Sequence, residues 1–241
     1  MDNQELEQIN QFARKELKPE EVYTFKVTLC DNEIDRDFER FSDQALEGLA
    51  KMFVGKTGIY DHNPTGKNQW ARIYDAQVTE EEGRQTRDGR PYRCLQAKAY
   101  MVRTAANEEL IAEIEAGIKK EVSVGCSVQK RVCSICGADK AKETCVHQKG
   151  KEYQGRVCHL ELDEPVDAYE FSFVAVPAQP AAGITKRFGW REEEAPFQDA
   201  LEKLFRGGQP LSPEEQMAAE KAFSRLKAMS QLGEEYLACK R

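Results

Sequence analysis

Five segments of the chain are predicted to form strands: residues 23–29, 70–78, 92–101, 121–128 and 169–176. The first and the fourth alternate apolar and polar residues, a pattern typical of half-buried strands. A polar connection at 79–91 with Asp88-Gly89 predicts a hairpin between the second and third segments. In the fourth segment the alternation separates two faces, with Val122, Val124, Cys126 and Val128 on one and Ser123, Gly125 and Ser127 on the other.

Other segments have the spacing of amphipathic helices. Residues 2–17 predict a first helix, which Lys18-Pro19 ends. Ser42 is a suitable N-cap for a second helix, and Thr104 or Asn107 for a third. The apolar faces of these two helices consist of Leu46, Leu49, Ala50 and Phe53 in the second and Leu110, Ile111, Ile114 and Ile118 in the third.

Together these elements predict an α+β fold with a mainly antiparallel, β-barrel-like core and flanking helices. We expect one domain over residues 1–190, interrupted by a cysteine-rich insertion at 130–160, and a helical C-terminal extension over 191–241. The extension has two helical patterns, and the second begins with a helix-start sequence at Ser212-Pro213. Core packing and partner binding are both compatible with these helices.

Charge and hydropathy narrow the class of protein. The sequence has 241 residues, with 35 Lys and Arg against 42 Asp and Glu, and a net charge of -7. Such an acidic total disfavours broad contact with phosphates, so we do not expect nucleic acid as a partner. No apolar run approaches the length of a transmembrane helix, and the N-terminus lacks the order of a secretory signal. We therefore expect a cytosolic protein with no membrane partner.

The cysteines of a cytosolic protein suggest metal ligands or free thiols before disulfides. Cys133 and Cys136 form a CxxC pair, and Cys145 and His147 form a CxH pair that follows it. Four such ligands predict a tetrahedral zinc ion with a structural role, because no coordination position stays open for a substrate. Buried free thiols are the competing interpretation. Alternates for one of the four ligands are Cys158 and His159.

If two of the three histidines belong to that cluster, His62 is the remaining imidazole. Ser123 lies on the small-residue face of its predicted strand, and Glu170 lies in a strand otherwise suited to burial. A serine nucleophile needs a base to accept its proton, and the base needs a group to orient it. Ser123, His62 and Glu170 could supply these three roles. Two alternatives stay open: His62 as a surface histidine paired with Asp61, and Ser123 as an ordinary solvated serine on the sheet surface.

Three segments around these residues resemble, in the same order, the prohead (head-maturation) proteases of tailed bacteriophages, whose fold is related to the herpesvirus assemblin protease. The segments are DHNPTGK…WARIYDA around His62, AEIEAGIKKEVSVGCSV around Ser123 and YEFSFVAVPAQPAAGI around Glu170. The resemblance covers about residues 20–185. Some members also carry a CxxCG…CxH insertion after the serine strand, as at 133–147 here.

The resemblance implies a role for each residue. Ser123 is implied as the nucleophile, with Ser127 as the runner-up, and His62 as its general base. Glu170 occupies the place of the second histidine of assemblin-type proteases. The oxyanion hole is implied to come from backbone N–H groups between Ala175 and Gln179, to which Pro177 cannot contribute. Cys126 points to the opposite face of its strand, which disfavours a cysteine protease.

The implied function is that of a serine endopeptidase which cleaves the phage scaffold, the major capsid protein and itself during head maturation. It requires no cofactor for catalysis, acts inside the assembling prohead in the host bacterial cytoplasm and is expected to be a homo-oligomer. The alternative is a non-catalytic, zinc-containing protein of capsid assembly on the same fold. A nucleic-acid-binding zinc module is a third and weaker hypothesis.

Overall fold

A computed structural model of the chain describes residues 3–185, and the expected extension at 191–241 lies outside them. Three α-helices occur in this range: α1 (Asn3–Asn10), α2 (Asp43–Phe53) and α3 (Glu108–Glu115). Ten strands accompany them: β1 (Val22–Asp31), β2 (Glu39–Phe41), β3 (Thr57–Tyr60), β4 (Ala71–Gln85), β5 (Pro91–Val102), β6 (Val122–Cys133), β7 (Glu152–Tyr153), β8 (Arg156–Val157), β9 (Leu160–Phe173) and β10 (Gly183–Ile184). The α+β class is thereby confirmed.

The main sheet is mixed: among the described strands, five of its pairings are antiparallel, as expected, and two are parallel. The expectation of a barrel-like core was wrong, because the sheet does not close. Its strand order is β10-β1-β5-β4-β3-β9-β2, and β6 pairs with the other side of β9. Strands β2 and β3 run parallel to β9, whereas β6 is antiparallel to it. A single isolated bridge joins Glu121 to Gly183, so the pairing of the described strands does not continue into a closed barrel.

Helix α2 explains why two successive strands run parallel to β9. β2 pairs with the first residues of β9, at Leu160–Leu162, and β3 pairs with its last residues, at Glu170–Phe173. The chain leaves the sheet between them through α2, whose length of 11 residues spans about 16 Å. Ser42 caps this helix as predicted, because its Oγ accepts a hydrogen bond of 2.9 Å from Ala45 N.

Several predicted boundaries were wrong for identifiable reasons. The hairpin strands β4 and β5 extend through most of the polar connection to Gln85 and Pro91, because strand pairing does not require apolar residues. α1 ends at Asn10 rather than residue 17, and the Asn10 side chain then bonds both the N–H and the C=O of Leu17. Ile118 lies beyond the end of α3 and is exposed.

The core packs aromatic side chains below the C-terminal ends of β3 and β9. The Trp70 ring stacks on Phe173 with centroids 4.4 Å apart and meets the edge of Phe171 at 5.3 Å. Its Nε1–H donates a hydrogen bond of 2.8 Å to the carbonyl of Ile59 in β3. Trp70 therefore fixes the end of β3 both by packing and by hydrogen bonding.

None of the helices within residues 3–185 has both the length and the apolar character required to span a bilayer.

We expect Trp70→Ala to lower the free energy of unfolding by about 3–5 kcal/mol, as is usual for truncation of a buried aromatic residue. Urea unfolding followed by circular dichroism measures this change. Ile118→Ala is the control, because that side chain is 69% exposed, and it should change stability little. Equal effects of the two substitutions would show that Trp70 does not stabilise this end of the sheet.

Candidate active site and candidate metal centre

The strand register brings the three predicted segments to one edge of the sheet. Because β3 and β9 are parallel, their C-terminal ends meet there, with Tyr60 opposite Phe173. β6 begins at the same edge on the other side of β9, with Ser123 opposite Ser172. The end of β3 and the start of β6 are thus separated only by β9.

His62 lies just after β3, as the sequence predicted, in a turn with an uncommon backbone conformation. Asp61 and His62 have φ values of 50° and 52°, in the left-handed region. For residues with a Cβ this conformation persists only where the surroundings hold it. Here Asp61 N–H donates to Phe173 O at 3.0 Å, and His62 N–H donates to the Oγ of Ser172 at 3.0 Å. Both bonds tie the turn to β9.

The imidazole of His62 contacts the carboxylate of Glu170. Nδ1 lies 2.8 Å from Glu170 Oε1. Since an ionised carboxylate only accepts hydrogen bonds, this contact assigns the proton to Nδ1 and leaves Nε2 as the basic nitrogen. The His62 side chain is 44% exposed and that of Glu170 only 9%, so the ring is supported from the protein side and accessible from solvent.

Gly125 leaves room for that carboxylate. It is paired with Glu170 across β6 and β9. A Cβ at this position would collide with Glu170 Oε1 and lie 3.2 Å from its Cδ. The small-residue face recognised in the sequence therefore includes one position where the absence of a side chain is a steric requirement of the site.

Ser123 shares the sheet face of Glu170 and Ser172, because paired residues on neighbouring strands point to the same side. It is half-buried. Within residues 3–185, no hydrogen bond up to 3.5 Å joins Ser123 to His62. Its assignment as the nucleophile stays a prediction.

Ser127, the alternative nucleophile, lies farther along β6. It pairs with Asp167, and an irregularity in the pairing after Gly125 separates it from Ser123. Four residues of strand correspond to about 13 Å. Since His62 is tied to Ser172, the partner of Ser123, the register favours Ser123 over Ser127.

Cys126 faces the core, as the alternation predicted. It packs against the main apolar cluster together with Val124. Burial, with a smaller effect from the negative charge of Glu170, raises the pKa of the Cys126 thiol to about 11. At neutral pH this sulfur is a protonated thiol, which is a poor nucleophile.

The loop that follows β9 is fixed by contacts with Asp31 and Arg36, which no local sequence pattern indicates. The Gln179 amide bonds Asp31 twice, accepting from its N–H at 2.7 Å and donating to its C=O at 3.1 Å. Arg36 donates from its guanidinium to Pro177 O and from its N–H to Ala178 O at 3.1 Å. The loop also begins beside β6, since Val174 N–H donates to Glu121 O at 3.2 Å.

The buried Asp31 is held in turn by Tyr92, whose hydroxyl donates to its carboxylate at 2.8 Å. Burial raises the pKa of the Asp31 carboxyl, although the bond from Tyr92 acts in the opposite direction. Asp31 and Gln179 are 148 residues apart in sequence, and no local pattern links such a pair. The oxyanion-hole segment predicted at 175–179 is therefore part of a loop with fixed ends.

A second group of side chains could hold a metal ion. The donor atoms of Cys133, Cys136, Cys145 and His147 all lie within 4.8 Å of one another. Cys136 Sγ is 3.5 Å from Cys145 Sγ, which is 3.4 Å from His147 Nδ1. These are the four ligands that their spacing predicted.

The alternates Cys158 and His159 do not belong to this group of four. Cys158 Sγ is 3.9 Å from Cys133 Sγ, whereas His159 Nδ1 is directed toward the carbonyl of Val157 at 3.5 Å. Burial acts to raise the pKa of the Cys133 thiol, but hydrogen bonds from the backbone N–H groups of Cys136 and Ile135 and from the thiols of Cys145 and Cys136 together lower it to about 6. A thiolate is the form that binds metals.

Comparisons with known proteins gave no match to this chain, whether with protein-family models, curated proteins or solved structures. The two groups of residues described above are thus interpreted from their own geometry and chemistry.

Gly125→Ala should destabilise the protein, because the new Cβ collides with the buried Glu170 carboxylate. We expect a loss of about 1–3 kcal/mol, as for other overpacked sites. Gly66→Ala is the matched control, since a Cβ there would meet no atom within 4 Å. Urea unfolding of both variants measures the difference. A Gly125→Ala variant as stable as Gly66→Ala would mean that Glu170 does not occupy this space.

Proposed function

We propose that this protein is a serine endopeptidase in which Ser123 is the nucleophile, His62 the general base and Glu170 the group that orients the base. The observation that carries the proposal is the 2.8 Å contact between His62 Nδ1 and Glu170 Oε1, formed beside the start of the Ser123 strand. A carboxylate on one imidazole nitrogen leaves the other nitrogen free to accept a proton, which is the arrangement a serine protease needs.

In the proposed reaction these residues act in turn. Nε2 of His62 accepts the proton of Ser123 as Oγ attacks the carbonyl carbon of the scissile peptide bond. Glu170 stabilises the imidazolium that forms and keeps the ring in one orientation. The imidazolium then donates its proton to the leaving amine, and an acyl-enzyme remains on Ser123. A water molecule, deprotonated by His62, hydrolyses this ester and restores the serine.

The developing oxyanion requires hydrogen-bond donors whose position is set before the reaction. Backbone N–H groups in the loop at 175–179 are suitable donors, because the loop is held at both its ends. Val174 bonds Glu121 at the start, and Arg36 and Gln179 fix residues 177–179 at the end. Pro177 lacks an N–H and supplies only its carbonyl, which Arg36 binds.

The resemblance to prohead proteases supports the substrate class. We propose that the enzyme cleaves scaffold protein, the major capsid protein and itself within the assembling prohead, in the cytoplasm of the host bacterium, and that it works as a homo-oligomer. The second candidate is a non-catalytic protein of capsid assembly. The observation that favours it is the group of metal ligands at Cys133–His147, which needs no catalytic activity to be useful.

We further propose that the metal is zinc and that its role is structural. Three thiolates and one imidazole form a donor set that zinc prefers, and four protein ligands leave no position for a substrate. The group begins at Cys133, the last residue of β6, and continues in the insertion before β9, whereas Ser123 lies near the other end of β6.

Metal analysis of the purified protein should find about one zinc per chain, since the four donors complete a tetrahedral site. Cys136→Ser should lower the zinc content and the melting temperature together, because metal binding contributes to folding. Cys94→Ala removes a thiol outside the insertion and should leave the zinc content unchanged. A wild-type protein with far less than one zinc per chain would contradict the assignment.

Ser123→Ala should abolish cleavage of the scaffold or capsid protein encoded by the same phage and should prevent labelling by a fluorophosphonate probe. We expect kcat to fall by at least about 10³-fold, because without the nucleophile only substrate binding and the oxyanion hole still accelerate the reaction. Mass spectrometry of the substrate and of the labelled enzyme measures both effects.

Ser127→Ala separates the two candidate nucleophiles. If it retains cleavage and labelling while Ser123→Ala loses both, Ser123 is the nucleophile. If only Ser127→Ala is inactive, the site lies four residues farther along β6. Equal cleavage by the wild type and both variants would reject a serine protease and leave the assembly protein as the better hypothesis.

A further inference from the structure

Ser172 lies between the two catalytic segments and has no exposed surface. In the sheet it is flanked by Ile59 of β3 on one side and by Ser123 of β6 on the other. Its neighbours in sequence, Phe171 and Phe173, pack into the apolar core, so the hydroxyl is directed to the opposite face. A buried hydroxyl is costly unless it forms hydrogen bonds.

Both hydrogen-bonding functions of this hydroxyl are used. Its Oγ lies 2.6 Å from Glu170 Oε2 and 3.0 Å from the backbone nitrogen of His62. Because an ionised carboxylate only accepts, Ser172 donates its proton to Glu170. Its lone pairs therefore receive the N–H of His62. The directions of both bonds follow because the carboxylate can only accept and the backbone N–H can only donate.

The two bonds act on different parts of the same catalytic pair. One holds the second oxygen of Glu170, while the first oxygen contacts His62 Nδ1 at 2.8 Å. The other holds the main chain of His62 at a φ of 52°, which is uncommon for a residue other than glycine. A single side chain thus sets both the carboxylate and the backbone that carries the imidazole.

We propose that Ser172 is a positioning residue which holds His62 and Glu170 in their catalytic arrangement before substrate binds. Ser172 does not contact the reacting atoms and acts through these two residues. Its importance for catalysis rests on the proposed protease function, whereas its control of the His62–Glu170 contact does not. This difference allows the two proposals to be tested separately.

The first test measures the contact directly. In protein labelled with ¹⁵N-histidine, a Nδ1–H that is hydrogen-bonded to a carboxylate gives a proton resonance far downfield, and the chain has only 3 histidines to assign. We expect this resonance in the wild type. Its loss in both His62→Gln and Glu170→Gln would assign it to the proton between His62 Nδ1 and Glu170. Ser172→Ala should broaden or abolish it, because Glu170 and the turn at His62 lose their shared partner.

A graded substitution and a remote control complete the comparison. Ser172→Cys keeps the general shape of the side chain but donates only weakly, so its resonance should be intermediate. Thr28→Val removes another strand hydroxyl, which is 6% exposed and lies on β1, and it should leave the signal unchanged. If Ser172→Ala fails to fold, the resonance of Ser172→Cys alone shows whether Ser172 controls the contact between His62 and Glu170. A sharp resonance at the wild-type position in the Ser172 variants would overturn the proposal.

The second test measures catalysis. Ser172→Ala should lower kcat about 10- to 100-fold with little change in KM, because misplacement of a catalytic group affects the chemical step more than substrate binding. Unchanged kcat in a variant that has lost the resonance would overturn the role of Ser172 in catalysis. If the wild type itself shows no proteolysis, the proposed function fails, and the resonance alone still decides whether Ser172 positions His62.

Discussion

The burial of one carboxylate, that of Glu170, is the constraint on which the candidate active site depends. An ionised side chain that is nearly removed from water costs several kcal/mol unless partners replace its hydration. Here His62 binds one oxygen and Ser172 the other, and Gly125 leaves the space that the group occupies. Three separate strand segments have to meet around this group. The need to satisfy this buried carboxylate therefore determines which strands must meet at the candidate active site.

The parallel pairing of β3 with β9 makes that meeting possible. A hairpin between these strands would place the end of one beside the start of the other and would separate His62 from Glu170. Parallel strands instead end at the same edge, and the turn at Asp61 and His62 returns the imidazole over the face of β9. Trp70 supports this edge from the core side, through its bond to Ile59 and its stacking on Phe173.

Local features of the fold could be predicted from the sequence. Most features that were not predicted depend on the topology, that is, on which strands pair with each other. Alternation placed Ser123 and Cys126 on opposite faces of β6, and cap chemistry located the start of α2 at Ser42. The parallel pairing of β3 and the absence of a closed barrel were not predicted, because periodicity does not specify which strands pair. The link between Asp31 and Gln179 was missed for the same reason, since it spans 148 residues.

The metal ligands and the candidate catalytic residues are connected by the register of β6 and β9. Cys133, the last residue of β6, pairs with Leu160, the first of β9, and Ser123 pairs with Ser172 at the other end of the same ladder. A slip by one residue would turn Ser123 to the core face and Cys126 to the site. A metal ion held by Cys133 and the ligands of the insertion would fix the closed end of this long hairpin and thereby restrict such slips. The two irregularities between these ends then set the final alignment of Ser123 with Ser172.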